Sequence, residues 1–327
     1  MPVDPFFKKI LHITLLFLWT VFCWSLGTAW ALNVNELVLK ELKGNGTWLD
    51  LRYSGAFGEE GTKQLAKSRL LRNLRFLGLR EHNIGDGGVK ALAASKYLKN
   101  LEGLNLFYGK VGPEGAKAIA SSENFSRLKY LGLWGNPLGK EGARALAQST
   151  TLSQLSSLDL TGSSIGTEGA RALAKSQILK NLKELRLGHN QLGTEGVELL
   201  ASSPYLTQLE ILDLSENGVG PGAMKALIAS AWIYNLKELL LNKNQIGDEG
   251  VKALVSRSLP LQKLDLQWNG ITRVGAIALG GAVGMKQLKL LDLWGNFIEE
   301  DGVQAIKHSK TLGPVTNPVY PGEPEQD

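Results

Sequence analysis

The feature that most constrains this chain is a leucine that returns every 27 residues. It stands at Leu74, Leu101, Leu128, Leu155, Leu182, Leu209 and Leu236; the next step is two residues short, at Leu261, and Leu288 restores the period. An inner pair keeps step with it, from Leu77/Leu79 through Leu185/Leu187 to Leu291/Leu293. Nine such registers exclude an assembly of unrelated elements around one centre. A period of this length marks a structural unit too small to bury its own apolar face, which needs copies of itself on either side.

Leu182 to Gln208 shows what the unit is. Glu184 to Gly188 alternates as a short strand does. After Gly193 the period changes, and Thr194-Glu195-Gly196-Val197 opens a helix that puts Val197, Leu200 and Ala201 on one face. Strands stack about 4.8 Å apart whereas a helix with its side chains is about 10 Å wide, so the array must bend with the strands inside. Asn136, Asn190, Asn217, Asn244, Asn269 and Asn296 recur in the turn after the strand. There an amide can satisfy buried backbone groups of its own repeat and the next. His82, Gly109 and Ser163 break the series, and looser packing is expected where they do.

The pattern LxxLxLxxNxLG followed by a glycine-containing helix resembles the leucine-rich repeats, and the long helical half resembles their ribonuclease-inhibitor-like subclass. The likeness runs from Leu74 to about Leu312. It implies an α/β fold, a horseshoe solenoid of about nine repeats with parallel strands on the concave face and short helices on the convex face. Relatives include enzyme inhibitors, innate-immune sensors and the Ran GTPase activator, so the resemblance implies a non-catalytic binding scaffold, with GTPase regulation as an alternative. The single cysteine, Cys23, precedes the repeats. That rules out a disulfide framework, cysteine-ligated zinc or a thiol nucleophile within them, and sets aside the bacterial leucine-rich-repeat ubiquitin ligases. No cofactor is expected.

The ends differ from the repeats. Residues 1–31 combine Lys8-Lys9, an uncharged run from Ile10 to Leu26, and Ala29-Trp30-Ala31 at the spacing of a signal-peptidase site. An exported protein is the expectation, in the periplasm, the medium or the cell envelope; the same run is long enough to serve as an uncleaved anchor, which would add membrane contact. Residues 32–73 hold a capping helix, about Asn35 to Lys43, and a degenerate repeat around Leu49 and Leu51. The last helix is expected from Gly302 to Ser309, and residues 313–327, with Pro314, Pro318, Pro321 and Pro324, are too poor in apolar residues to build a core. Asn45-Gly46-Thr47 and Asn124-Phe125-Ser126 are glycosylation sequons if the host uses them.

Formal net charge is +5, mild for 327 residues, and no nucleic-acid partner follows from it. A column of cations on the helices, Lys90, Lys117, Arg144, Arg171, Lys225 and Lys252, is expected to be neutralised by Glu114, Glu141, Glu168 and Glu249 three residues earlier. His82 and His189 lie four repeats apart, roughly 20 Å, too far to share a metal ion. The positions flanking the inner leucines face inward, and there the chemistry varies. Phe76, Phe107, Tyr108, Tyr130 and Trp134 come from consecutive repeats, and Trp268 and Trp294 from the last two. Asp159, Asp213, Asp265 and Asp292 share one column; Asp265 and Asp292, on adjacent rungs about 5 Å apart, could form a hydrolytic carboxylate pair or a cation site. Exposed aromatic clusters mark interfaces, so a protein partner is expected on this face, with a glycan as the alternative. Mass spectrometry of the exported product should find an N-terminus at Leu32; an intact Met1 or Pro2 on a membrane-bound product would mean an anchor.

Overall fold

A computed structural model describes residues 34–52 and 58–313. Residues 1–31, where an export segment is expected, and the proline-rich tail beyond Gly313 lie outside the described residues. Ten strands of three residues each, β1 (Trp48–Asp50), β2 (Phe76–Gly78), β3 (Gly103–Asn105), β4 (Tyr130–Gly132), β5 (Ser157–Asp159), β6 (Glu184–Arg186), β7 (Ile211–Asp213), β8 (Glu238–Leu240), β9 (Lys263–Asp265) and β10 (Leu290–Asp292), form one parallel sheet in chain order. Each repeat therefore lays its strand beside its predecessor. The register aligns the central leucines, Leu77 with Leu104 with Leu131 and onward to Leu264 with Leu291, and all of them are buried. Side chains alternate along a strand, so the residues on either side of each central leucine leave the core and form the open face of the sheet.

The opposite layer holds a helix from each repeat, from α2 (Gly58–Leu65) through α5 (Gly139–Ala147), α6 (Gly166–Ala174) and α7 (Gly193–Ala201) to α11 (Glu299–Lys307), each packed on the next. A capping helix, α1 (Val34–Glu41), covers the first repeat with Val34 and Val38. Val197, Leu200 and Ala201 are buried as their spacing predicts. Helices approach closely where the second glycine of a Gly-x-Glu-Gly turn faces an alanine of the preceding repeat, as Gly142, Gly169 and Gly196 do: a Cβ on Gly142 would stand 3.3 Å from the Ala116 Cβ and 2.9 Å from the Leu138 Cβ. The degenerate repeat supplies β1, with Leu49 and Leu51 in the core. The short step at Leu261 is absorbed outside the strand. The segment between helix and strand is 256–262 there and 94–102 in a full repeat, and β8 still pairs β9 in register.

Several boundaries and bonds differ from the sequence expectation. The strand of the template repeat stops at Arg186, because beyond it the chain turns. The last helix starts at Glu299, where three acids occupy its first turn and suit the positive end of its dipole. The asparagines serve the preceding repeat, and not the next: Asn190 Oδ1 accepts from the Ser163 and Ile165 amides, while its Nδ2 donates to Leu160 O and Leu187 O. Asn217 repeats the pattern on Asn190 and Leu192. The breaks are not uniformly loose. The His82 ring is buried and its Nε2 lies 2.8 Å from Leu51 O, so a histidine does the work of an amide. At Ser163 the hydroxyl still donates to Leu133 O of the preceding repeat, 3.4 Å away, but the Leu138 amide bonds Asn136 O in place of a side-chain acceptor.

The helix cations are paired more sparsely than their spacing predicts. Glu168 holds Arg171 at 3.2 Å and Glu249 holds Lys252 at 2.7 Å, but Glu114 reaches Lys90 of the preceding repeat, 3.6 Å away, and Glu141 meets Lys140. Such exposed pairs are screened by solvent and contribute little. Stability rests on the core and the asparagine rungs. Leu185→Ala should cost about 2 to 5 kcal/mol, and Asn217→Ala roughly 1 to 3 kcal/mol by leaving the Asn190 and Leu192 amides without an acceptor. Lys117→Ala should stay within about 0.5 kcal/mol. Denaturant titration of the three variants checks the order, and equal effects would mean the buried face is misassigned.

Candidate interaction surface on the strand face

The open face is built from columns that run across the repeats. The first strand position carries Trp48, Phe76, Gly103 and Tyr130 on β1 to β4. Trp48 and Phe76 stack with ring centroids 3.8 Å apart and planes 10° from parallel; Phe76 and Tyr130 lie 6.5 Å apart across Gly103. Gly103 has no room for more than hydrogen, since a Cβ there would stand 2.7 Å from Phe76 Cδ2. Just beyond the strands, Phe107 and Trp134 meet edge to face at 5.5 Å, and Tyr108 tilts against Trp134 at 5.4 Å. Gly132 and Gly135 make the space for these rings: a Cβ on Gly132 would meet both the Tyr130 hydroxyl and the Phe107 ring, and one on Gly135 would stand 2.3 Å from Tyr108. Six rings thus form one patch over a floor of glycine. Trp48, Tyr108 and Trp134 keep 45%, 46% and 40% of their surface exposed, so the patch is only partly self-buried.

A second patch lies at the other end. Trp268 and Trp294 meet edge to face at 4.7 Å, over Gly295. Tyr108 and Trp268 occupy the same turn position, which has a positive φ from Glu81 through Tyr108, Gly135, His189 and Trp268 to Gly295. L-residues with large side chains pay for that conformation in steric strain, and glycine does not. Tyr108 and Trp268 take it at φ 52°, and Glu81, His189, Glu216 and Lys243 take it elsewhere, so the conformation belongs to the repeat's turn and only the aromatic side chains are particular to these two.

Between the patches the face is charged. Arg186 stands in register between Asp159 and Asp213, and its Nε lies 2.6 Å from Glu184 Oε1, whose other oxygen accepts from the Ser157 hydroxyl. The aspartates share a local task that their spacing does not reveal. Each Oδ1 accepts the amide two residues on, from Asp159 to Thr161, Asp213 to Ser215, Asp265 to Gln267 and Asp292 to Trp294, and so turns the chain off the strand. Burial pushes the Asp159 carboxyl above the ordinary range, against the bonds from Thr161. Asp265 is raised likewise, with Asp292 adding to the burial. Burial, Asp159 and Glu184 push the Tyr130 hydroxyl up to about 12. Gln267 Nε2 lies between the adjacent carboxylates, 2.8 Å from Asp292 Oδ2 and 3.5 Å from Asp265 Oδ2. Among the described residues no cluster of three or more His, Cys, Asp or Glu side chains is placed to hold a metal ion, and no helix is long and apolar enough to cross a membrane.

A model of the leucine-rich repeat matches residues 71–93, 97–120, 152–174, 179–201, 205–227, 235–255 and 257–280. The chain is a leucine-rich repeat protein. No curated protein matches it. Among solved structures it is similar to an internalin from Listeria monocytogenes, at 22% identity and a TM-score of 0.48 over 76% of this chain and 69% of that one. It is also similar to the yeast Rad7 and Elc1 complex, at 19% identity and a TM-score of 0.49 over 87% and 78%.

Of the residues singled out in the sequence, this leucine-rich repeat sheet gathers Phe76, Phe107, Tyr108, Tyr130 and Trp134 at one end, and Trp268 and Trp294 beside Asp265 and Asp292 at the other. Asp159 and Asp213 fall between. Trp48, Glu184 and Arg186 also belong to the face and were not anticipated. Trp48 could have been found, since it stands 28 residues before Phe76, next to Leu49 of the degenerate repeat. The raised Asp159 carboxyl carries a prediction. Its folded-state pKa lies above the unfolded value, so its contribution to stability is complete at low pH and is lost as pH rises through the folded pKa. Asp159→Asn, which keeps the acceptor and copies the bond of Asn105 to the Phe107 amide, should raise the melting temperature at pH 7 and leave it unchanged near pH 3.

Proposed function

We propose that this leucine-rich repeat protein is an exported, non-catalytic scaffold of the ribonuclease-inhibitor-like kind that holds a protein partner against its strand face. The observation that carries the reading is the six-ring patch from Trp48 to Trp134, exposed on a rigid sheet and floored by glycines. Aromatic rings supply large apolar area with few rotors to freeze, and partners commonly anchor on such groups. Arg186, Glu184 and Asp213 then offer charged contacts beside an apolar anchor, the division found between interface core and rim, while Asp159 is buried behind them. Export is supported by the Lys8-Lys9, Ile10 to Leu26 and Ala29-Trp30-Ala31 pattern. Membership of the subclass is supported by helices of eight or nine residues in a 27-residue repeat.

Pull-down from the native envelope or medium with the wild-type protein identifies the partner, and titration then tests the face. Trp134→Ala should weaken binding by about 2 kcal/mol or more, roughly thirtyfold, with Phe107→Ala in the same direction. Lys225→Ala, on the helix side, should leave affinity unchanged. Abolition by Lys225→Ala with no effect from the strand-face pair would place the function on the helices. Binding that disappears when the partner is deglycosylated would make the ligand a sugar chain stacked on the same rings.

A further inference from the structure

Because all ten strands run parallel, every segment leading from a helix into the next strand lies along one edge of the solenoid. The charge on that edge is one-sided. The ten segments, 42–47, 66–75, 94–102, 121–129, 148–156, 175–183, 202–210, 230–237, 256–262 and 281–289, contain 16 lysines and arginines against three glutamates, and all 16 cations are exposed. The opposite edge has the reverse bias: the ten helices that follow a strand carry 12 acidic residues in their first turns against two cations, Lys140 and Arg273. The formal +5 of the whole chain conceals this segregation.

The helix dipole explains part of it, since cations are favoured at helix C-termini, but that effect falls off within the last turn. Most of these cations lie beyond the helices, in the loops. Two of the three acids are already used: Glu102 lies between Arg75 and Lys129, and Glu210 between Lys183 and Lys237. Arg72, Lys99 and Lys180 form no ion pair among the described residues. Three clefts open on the same edge. One of about 510 Å³ is lined by Lys67 and Lys96, one of about 430 Å³ by Lys175 and Lys180, and one of about 480 Å³ by Lys183 and Lys237.

We propose that this edge is a docking surface for an anionic lipid bilayer. Successive loops follow one another at the strand spacing, so they present cations in a row along the rim of the solenoid, which suits a continuous anionic surface better than a point ligand. The clefts at Lys67 and Lys96 and at Lys175 and Lys180 admit phosphate headgroups to paired lysines, whereas Glu210 already lies between Lys183 and Lys237 in the third; Tyr234 and Val283, 48% and 73% exposed, offer amphipathic and apolar contacts on the same rim. The cations are densest at Lys67, Arg69, Arg72 and Arg75, in the second of the ten segments. Docked this way, the protein stands on the membrane with its strand face at right angles to it and open to a partner.

The test is co-sedimentation of the full chain with vesicles of phosphatidylcholine alone or with about a third phosphatidylglycerol, at low and high salt. The N-terminal segment is common to all variants, so differences between them read the edge. Wild type should bind the anionic vesicles in a salt-sensitive way. The triple variant Arg72→Glu, Lys99→Glu, Lys180→Glu should bind them roughly a hundredfold more weakly, at about 1 kcal/mol per basic residue. The triple variant Lys117→Glu, Arg144→Glu, Lys225→Glu on the helix face should retain most of its affinity. Glutamine versions of both triples, with melting curves, separate charge from folding. Equal loss from the two triples, or equal binding to neutral vesicles, overturns the proposal. So does an edge triple that loses binding to heparin or single-stranded DNA while keeping the vesicles, which would make the surface a site for a soluble polyanion.

Discussion

A strand of three residues leaves most of each repeat's backbone without a ladder partner, and the rest of the structure depends on how the asparagine rung makes up the difference. One buried amide both accepts and donates. Asn217 takes the Asn190 and Leu192 amides on its oxygen and donates to Leu187 O, binding the turn of one repeat to the next without an extra strand residue. Buried unpaired amides cost about 1 to 3 kcal/mol each, so a solenoid of short strands could not bury this turn without such a rung. The leucine layer beneath is generous in apolar area but has no directional preference. The amide sets the register.

That division of labour explains which parts of the molecule were legible in the sequence. The leucine steps and the change of period after Gly193 specify strand, turn and helix, because burial leaves little choice at those positions. The asparagine column was visible, but its direction was not: a period of 27 is symmetric under reversal, and only the geometry shows that Oδ1 reaches the preceding repeat. His82 reads as a break in the series, yet an imidazole has a nitrogen at a reach that can replace the amide, and residue identity alone does not reveal that equivalence. Ser163, with the shorter side chain, keeps only the donation to Leu133 O, and Gly109 has no side chain to contribute.

The candidate surface was legible in a different way. Exposed positions are free to vary, so an aromatic column that interrupts them stands out against the frame, and Phe107 and Trp134 do meet as rung neighbours. The glycines beneath them were harder to see. Gly132 and Gly135 look like ordinary turn residues, but they are where the rings lie, and this complementarity between a side chain on one repeat and its absence on the next exists only across the sheet. The aspartate column misleads in the opposite sense. Its regularity resembles a functional array, whereas each member first serves the turn behind its own strand.

Charge shows most clearly why a sum over the chain conceals what a fold displays. A repeat places its acids at the helix N-terminus and its cations before the strand, a modest preference in any one copy. Stacking ten copies in parallel aligns that preference along two opposite edges, so a bias of one or two charges per repeat grows into a basic rim and an acidic one. The basic rim does not overlap the aromatic patches, which lie on the strands and on the turns just beyond their C-terminal ends. The geometry therefore leaves two surfaces of different chemistry available at once: a neutral, ring-rich face suited to one shaped partner, and a charged edge whose contacts are long-ranged, salt-sensitive and indifferent to shape. An edge of that kind can confine the protein to a surface and orient it, so that what the aromatic face meets is determined by where the edge holds it.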